Sequence, residues 1–315
     1  MESRWKGIRP KYLLVGILIT FFITCLISTL PFSTEECKCP GDSEGLQKDS
    51  NNVPKPLRKS QHRLAVLVPF RDRFEELLTF APYMKRFLDK QNIDYRIFIL
   101  HQVDRFRFNR ASLVNVGFLH VKNEFDYIAM HDVDLLPLND NLSYGYPDTP
   151  FHVSAPDLHP RYHYSTFIGG ILLIKRDHFI QVNGMSNKYW GWGLEDDEFY
   201  VRLKEANLVV RRPQNISTGT QNTFRHIHDK NHRKRDTTKC FNQREVTRKR
   251  DRETGLDNVS YKILEVINIT ISDSQLTILN IELSCDKTLT PWCECIKTNE
   301  IKDKKIVGEN KKTAL

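Results

Sequence analysis

An α/β domain built around a mainly parallel sheet is the fold class this sequence predicts. Three observations predict it. The chain has 315 residues, enough for one sizeable domain with appendages. Short β-branched apolar runs alternate with helical segments from residue 63 onward. Arginines and aspartates fall at the ends of those runs, where open α/β sheets place their ligands.

Along the chain, Tyr12 to Leu30, YLLVGILITFFITCLISTL, holds nineteen uncharged residues, long enough to cross a hydrocarbon core of about 30 Å. It exceeds the apolar length of a cleaved signal peptide and no clean small-x-small site follows, so it reads as a retained anchor. Arg4, Lys6, Arg9 and Lys11 precede it and Glu35 and Glu36 follow. The positive-inside rule then leaves residues 1–11 in the cytosol and the bulk of the chain in a lumen or outside the cell. Residues 31–61, poor in large apolar side chains, read as a flexible stem. Cys37, Cys39, Cys240, Cys285, Cys293 and Cys295 lie beyond the span, an even number suited to an oxidising compartment. Their spacing favours disulfides or free thiols over zinc, since CDKTLTPWCEC lacks a matching second half, and it leaves the pairing open. Asn141, Asn215, Asn258 and Asn268 head glycosylation sequons compatible with secretory passage.

RLAVLVP (Arg63 to Pro69) reads as a buried strand, and RFEELLTFAPYMKRFLDKQ as helix interrupted at Pro82. DYRIFIL (Asp94 to Leu100) is the second strand; Asn109 caps a helix over RASLVNVGFLHVK; FDYIAMHDVD is a third strand ending in acids. FHVSAP and GGILLIKR read as strands, LEDDEFYVRLKEAN as a helix, and YKILEVINITIS and QLTILNIEL as two late strands, so the second half is mixed. The lysine-rich tail 297–315 reads as disordered.

The net charge of +8 does not mark a nucleic-acid binder, because tracts such as NHRKRD and REVTRKRDRE lack interleaved stacking aromatics. Nucleotide phosphates or polyanionic glycans suit it better. Asp132 and Asp134, two apart after an apolar strand, can aim a carboxylate at a divalent ion, although the same spacing occurs in surface loops. His226 and His228 repeat the spacing in FRHIHD; with Asp134 they make a mixed oxygen and nitrogen set suited to Mn²⁺. Arg71, Arg73 and Arg110 are either phosphate or nucleobase forks or simply exposed. Trp190 and Trp192, set among Gly184, Gly191 and Gly193, are either a platform for a sugar face or core tryptophans beside a turn. Glu195, Asp196, Asp197 and Glu198 open a helix whose dipole accounts for one or two acids, not four. Successive residues fan out by about 100° and crowd like charges, which raises at least one pKa and can furnish a general base. Tyr162 and Tyr164 suit carbohydrate contact or packing, and His152, His159 and His163 have no assigned role.

Taken in order, VPFRDR, FNRASLVNVGF, HDVD, FIGGILLI, WGWGLEDDEF and FRHIHD resemble the β-1,4-galactosyltransferase family over Arg63 to Cys295. YHYSTF, FRHIHD and CDKTLTPWC are most similar to the branch that acts on β-xylose. The resemblance implies a GT-A fold, a Rossmann-like nucleotide half with a mixed sheet joined to an acceptor half, spanning 62–296 behind a single transmembrane helix. It implies a type II protein of the Golgi membrane, with its catalytic domain lumenal, that moves galactose with inversion from UDP-galactose to the 4-hydroxyl of xylose on proteoglycan core proteins. By the same resemblance Asp134, His226 and His228 bind Mn²⁺. Pro69, Phe70, Arg71, Arg73, Phe108, Arg110, Asp132, Val133 and Arg235 contact the nucleotide. Trp192 and Gly193 belong to a mobile loop, Glu195 and Asp197 hold the sugars, Asp196 is the base, and Tyr162 and Tyr164 line the acceptor site. Phe167 departs from a tyrosine that the branch can carry, which removes one hydroxyl contact. Two other readings are N-acetylglucosamine as acceptor and a non-catalytic membrane-anchored lectin.

Overall fold

The computed structural model describes residues 19–23, 61–228 and 233–295. The chain divides into two units, 1–55 and 56–315. In the first, residues 19–23 are helical, with Ile19, Phe21, Phe22 and Ile23 exposed. Among the described residues no helix is long and apolar enough to cross a membrane. The rest of the expected span at 12–30, the stem up to residue 60, Cys37, Cys39 and the tail 297–315 lie outside the described residues.

The second unit holds a seven-stranded sheet in the order β5-β6-β3-β1-β2-β9-β8. β1 (Arg63–Phe70), β2 (Asp94–Gln102) and β3 (Tyr127–His131) are its parallel centre, joined by α1 (Phe74–Asp89) and α2 (Arg110–Val121). This is the expected β-α-β-α-β unit. Alternate residues of β1 enter opposite layers: Ala65 and Leu67 pack with Leu113, Val114 and Phe118 of α2, while Leu64, Val66 and Val68 pack with Leu77, Phe80 and Met84 of α1. A strand buried on both faces needs an unbroken apolar run, and RLAVLVPF supplies one.

α1 runs continuously through Pro82, which corrects the expected interruption. An internal proline costs about 3 kcal/mol. Ala81, Met84, Phe87 and Leu88 beyond or beside it are buried against the sheet, and burying each large side chain returns about 1.5–3 kcal/mol. α2 begins as expected, with Asn109 Oδ1 accepting from the backbone N–H of Ser112 at 2.9 Å.

The outer strands make the sheet mixed. β6 (Ile171–Lys175) runs antiparallel to β3, and β5 shrinks to Phe151–His152, shorter than FHVSAP. β9 (Ser274–Leu283) lies parallel to β2 and pairs antiparallel with the edge strand β8 (Tyr261–Ile271). β4 (Leu135–Pro137) and β7 (Phe224–His226) form a separate two-stranded ladder with Leu135 opposite His226. Short helices α3 (Arg176–Gln181) and α5 (Gln243–Val246) and the longer α4 (Glu195–Glu205) complete the unit.

Candidate active site

The acidic turn after β3 is built by the β4–β7 ladder. Asp132 donates its backbone N–H to Gly170 O at 2.9 Å, and Ile227 donates to Asp134 O at 2.8 Å. With Leu135 registered on His226, both expected histidines come to Asp134: its Oδ2 lies 3.7 Å from His226 Nε2 and 3.2 Å from His228 Nδ1. Only His226 belongs to the strand; His228 lies just past its end, so alternation along one strand is not what pairs them. Burial, then the neighbouring Asp132, raises the Asp134 carboxyl to about 6, against the lowering pull of Arg235 and Arg73. Burial and then Arg161 press the His226 imidazole down to about 3; burial, then Arg235 and Arg161, lowers His228. Neutral imidazoles beside a buried carboxylate are the form that ligates a divalent ion. His226 Nδ1 is buried with no hydrogen-bond partner among the described residues. Among those residues no group of three or more His, Cys, Asp or Glu side chains is set close enough to hold a metal ion, although Asp134 lies within 3.7 Å of both imidazoles.

Arg110, at the start of α2, joins that turn to α4. Its Nε donates to Asp132 Oδ1 at 2.9 Å and its Nη1 to Asp196 Oδ1 at 3.0 Å. Burial works to lower the guanidinium pKa, but Asp132, Asp196 and Glu195 together raise it. One cation thus serves several carboxylates. Burial is the main cause that lifts Asp196 to about 7, with Glu195, Asp132 and Asp197 adding and Arg110 opposing. Glu195 and Asp197 are raised as well, burial first in each case. A Cβ on Gly169 would lie 2.4 Å from Asp196 Oδ2 and 2.7 Å from the Phe167 ring, so a side chain there would displace the carboxylate from its present position.

The two tryptophans divide between the alternatives the sequence left open. Trp190 is 3% exposed, packed edge-on to Phe106, whereas Trp192 is 43% exposed. The chain turns through left-handed φ at Gly191, between them, and again at Gly193 and Leu194 just after Trp192. Arg235 stacks over the Trp192 ring at 4.8 Å and also donates to Tyr162 Oη. Tyr164 hydrogen-bonds Asp197, and both tyrosines pack on buried Phe167. His159 has a role after all: its Nδ1 accepts the backbone N–H groups of Arg161 and Tyr162, each at 3.0 Å, and so fixes the tyrosine turn.

The residues expected at the nucleotide lie in different surroundings. Pro69 and Phe70 at the end of β1 and Val133 in the turn after β3 are buried, and Phe108 lies under the Arg71 guanidinium at 6.0 Å. The Arg71 fork, however, donates to the carbonyls of Gln102, Asp104 and Phe106 at 3.3, 2.9 and 2.6 Å. Arg71 thus holds the loop after β2, and Arg110 is engaged by carboxylates. Arg73 and Arg235 are the two expected arginines whose charge reaches Asp134.

Sequence reasoning missed several organisers. Arg107 donates to Asp236 Oδ2 at 2.6 Å, Thr238 O at 2.7 Å, Gln243 Oε1 at 3.0 Å and Trp292 O at 3.0 Å. It thereby anchors the strap 233–243, whose Asp236 carbonyl accepts the Trp192 N–H at 2.8 Å and whose Lys239 reaches Trp192 O at 3.1 Å. Disulfides Cys240–Cys295 and Cys285–Cys293 close the pairing question for these four cysteines and pin the strap's end. Arg161, half-buried, lends its charge to both histidines. None of these carries a local motif. Glu198 turns away from Arg110 and Asp196: it takes both its carboxylate oxygens to Arg202 Nε at 3.0 and 2.9 Å and accepts from Arg250 at 2.7 Å.

Known proteins share this arrangement's sequence. A family model described as the N-terminal region of glycosyl transferase group 7 matches residues 33–147, and one described as the N-terminal domain of galactosyltransferase matches residues 149–227. The chain is 59% identical over 277 residues to beta-1,4-galactosyltransferase 7 of Drosophila melanogaster, covering 85% of this chain and 86% of that one. It is 48% identical over 300 residues to xylosylprotein 4-beta-galactosyltransferase of Caenorhabditis elegans, covering 93% of this chain and 100% of that one. Among solved structures, a mutant of the Drosophila beta-1,4-galactosyltransferase 7 in complex with manganese, UDP-Gal and xylobiose has a TM-score of 0.74 at 64% identity, covering 75% of this chain and 100% of that one. The catalytic domain of the same enzyme with xylobiose gives 0.74 at 65% identity with the same coverage.

Proposed function

The chain belongs to the β-1,4-galactosyltransferase family, and on that premise we propose that it moves galactose, with inversion, from UDP-galactose to the 4-hydroxyl of β-xylose on proteoglycan core proteins. The product is part of the glycosaminoglycan linker. A relative 64% identical binds manganese, UDP-Gal and xylobiose together, which supports both substrates and the metal. The mixed α/β sheet, with ligand groups beyond the carboxyl ends of its parallel strands, supports a GT-A-like fold. The apolar run 12–30 behind a basic N-terminus supports a single-pass type II anchor in the Golgi membrane, with 62–296 as the lumenal catalytic domain.

The observation that carries the reading is the Asp196 carboxyl, raised to about 7 and hydrogen-bonded to Arg110, at the start of the helix that follows exposed Trp192. A base with a pKa near the working pH both accepts and releases a proton readily. Asp196 takes the proton of the xylose 4-hydroxyl as that oxygen attacks the anomeric carbon of galactose from the face opposite UDP. Arg110 holds the carboxylate in place and keeps its charge from repelling Asp132. Glu195 and Asp197 accept sugar hydroxyls, the latter held by Tyr164. Trp192, Gly193, Tyr162 and Tyr164 give the acceptor an aromatic seat, and closing the Trp192 segment excludes water. Pro69, Phe70, Phe108 and Val133 form the nucleoside wall, with Arg73 and Arg235 toward the diphosphate. Asp134, His226 and His228 would hold Mn²⁺, which when bound neutralises charge developing on the leaving diphosphate.

Incubating the full chain with UDP-galactose and either a β-xyloside or a β-N-acetylglucosaminide, with and without Mn²⁺ after chelation, tests the proposal. Mn²⁺-dependent product on the xyloside is expected. Preference for N-acetylglucosamine, or undiminished transfer after chelation, would overturn the acceptor or the metal assignment respectively.

A further inference from the structure

We propose that Asn268 carries an N-linked glycan that covers the exposed apolar stripe of the sheet's outer strand; the inference rests on the lumenal placement proposed above. β8 is an 11-residue edge strand, paired on one side by β9 and, among the described residues, by no strand on the other. It exposes Leu264 and Val266 by 59% and 47%. A long edge with apolar residues in water invites pairing with another chain unless something blocks it. Two residues past Val266, and so on the same face of the strand, stands exposed Asn268, with exposed Thr270 two further on completing the sequon.

The amide is also oriented for the modification. Asn268 Oδ1 accepts from Thr277 Oγ1 on β9 at 2.8 Å, so the opposite end of the planar amide, Nδ2, is turned away from that bond. At Asn258, by contrast, both ends are tied into a turn: Nδ2 donates to Glu253 O at 2.7 Å and Oδ1 accepts from Gly255 N at 2.9 Å. In the transfer, a bond forms between Asn268 Nδ2 and the anomeric carbon of an oligosaccharide carried on a polyprenyl diphosphate. The anomeric C–O bond breaks, its electron pair leaves with the diphosphate, and one amide proton passes to a base. The second amide hydrogen and the Thr277 bond survive, so the folded strand accepts the sugar without repacking. A bulky hydrated group beside Val266 then closes the edge to strand addition.

The full chain is expressed in a eukaryotic secretory host and mapped by mass spectrometry after enzymatic deglycosylation in ¹⁸O-labelled water. The peptide with residue 268 is expected to return as labelled aspartate. Asn268→Gln and Thr270→Ala, which remove the same sequon through different residues, are each expected to lose one mobility step. Both are expected to increase self-association in sedimentation, with galactosyl transfer per folded molecule unchanged. Unmodified Asn268 alongside modified Asn141 or Asn215 would overturn the proposal while leaving the lumenal placement standing. No modification at any of the four sequons would overturn both. A glycan at Asn268 whose loss leaves self-association unchanged would overturn its shielding role.

Discussion

The four acids that open α4 end in two different electrostatic regions. On the cleft side, Asp196 and Asp132 share the single guanidinium of Arg110 while Glu195 stands near, and Asp196 is lifted to about 7. On the core side, Glu198 and Asp251 meet Arg202, Arg250 and Lys188. There burial works to raise Asp251, but hydrogen bonds from Ser186, Thr254, the Glu253 backbone and Lys188 hold it down to about 2. Carboxylates outnumber cations in the first region, whereas in the second Glu198 and Asp251 are outnumbered by Arg202, Arg250 and Lys188. The surplus of acids produces a proton acceptor; the surplus of cations produces a clamp.

Removing one acid from each region separates these roles. Asp196→Asn is expected to cut kcat by roughly 10²–10⁴-fold, with a circular-dichroism melt close to that of the parent chain. A melt lowered as much as that of a core variant would make Asp196 structural. Glu198→Gln removes the buried carboxylate that pairs with Arg202 Nε and with Arg250, and is expected to cost about 3–5 kcal/mol in denaturant titration, with activity per folded molecule retained. Loss of turnover without loss of stability there would erase the distinction.

The regions also differ in the sign of their pH dependence. Asp251, below its unfolded value, contributes roughly 2 kcal/mol above about pH 4 that is lost as pH falls through about 2. Asp196, above its unfolded value, contributes stability that is present below about pH 4 and lost as pH rises through about 7. Because asparagine mimics the protonated carboxyl, both variants should match the parent in acid and part from it as pH rises, Asp251→Asn becoming less stable and Asp196→Asn more stable than the parent; departures of the same sign would refute the pairing scheme. The smallest effect expected is for Trp192→Ala, about 1 kcal/mol or roughly fivefold in acceptor KM through loss of the exposed ring, read by steady-state kinetics with kcat compared alongside.

The parallel centre was legible because its strands are buried on both faces and must be continuously apolar. Asn109 was legible because capping is local. Pro82 misled because a local penalty was outweighed by tertiary burial of the same helix. The grouping of the candidate site was legible where a motif places its own residues, as at Asp132 and Asp196 beside Arg110 and at Asp134 beside the histidines. It was not legible where a residue's task depends on a distant partner. Arg71 serves loop carbonyls over thirty residues away, and Arg107 holds a strap more than a hundred residues downstream. Trp190 and Trp192 share one composition and one loop; only the turn at Gly191 sends one inward and leaves the other exposed.

The most direct test of the cleft's charge surplus is the pH profile of kcat for transfer from UDP-galactose to a β-xyloside at saturating Mn²⁺, measured on the parent chain and on Asp196→Asn, with UDP-galactose affinity followed by calorimetry. The account predicts a parent rate that climbs with pH to a plateau above about 7, and a variant that binds the donor but has lost both the rate and that limb. A variant that keeps the parent's rate, or the same rising limb, would contradict the assignment of Asp196 as the base.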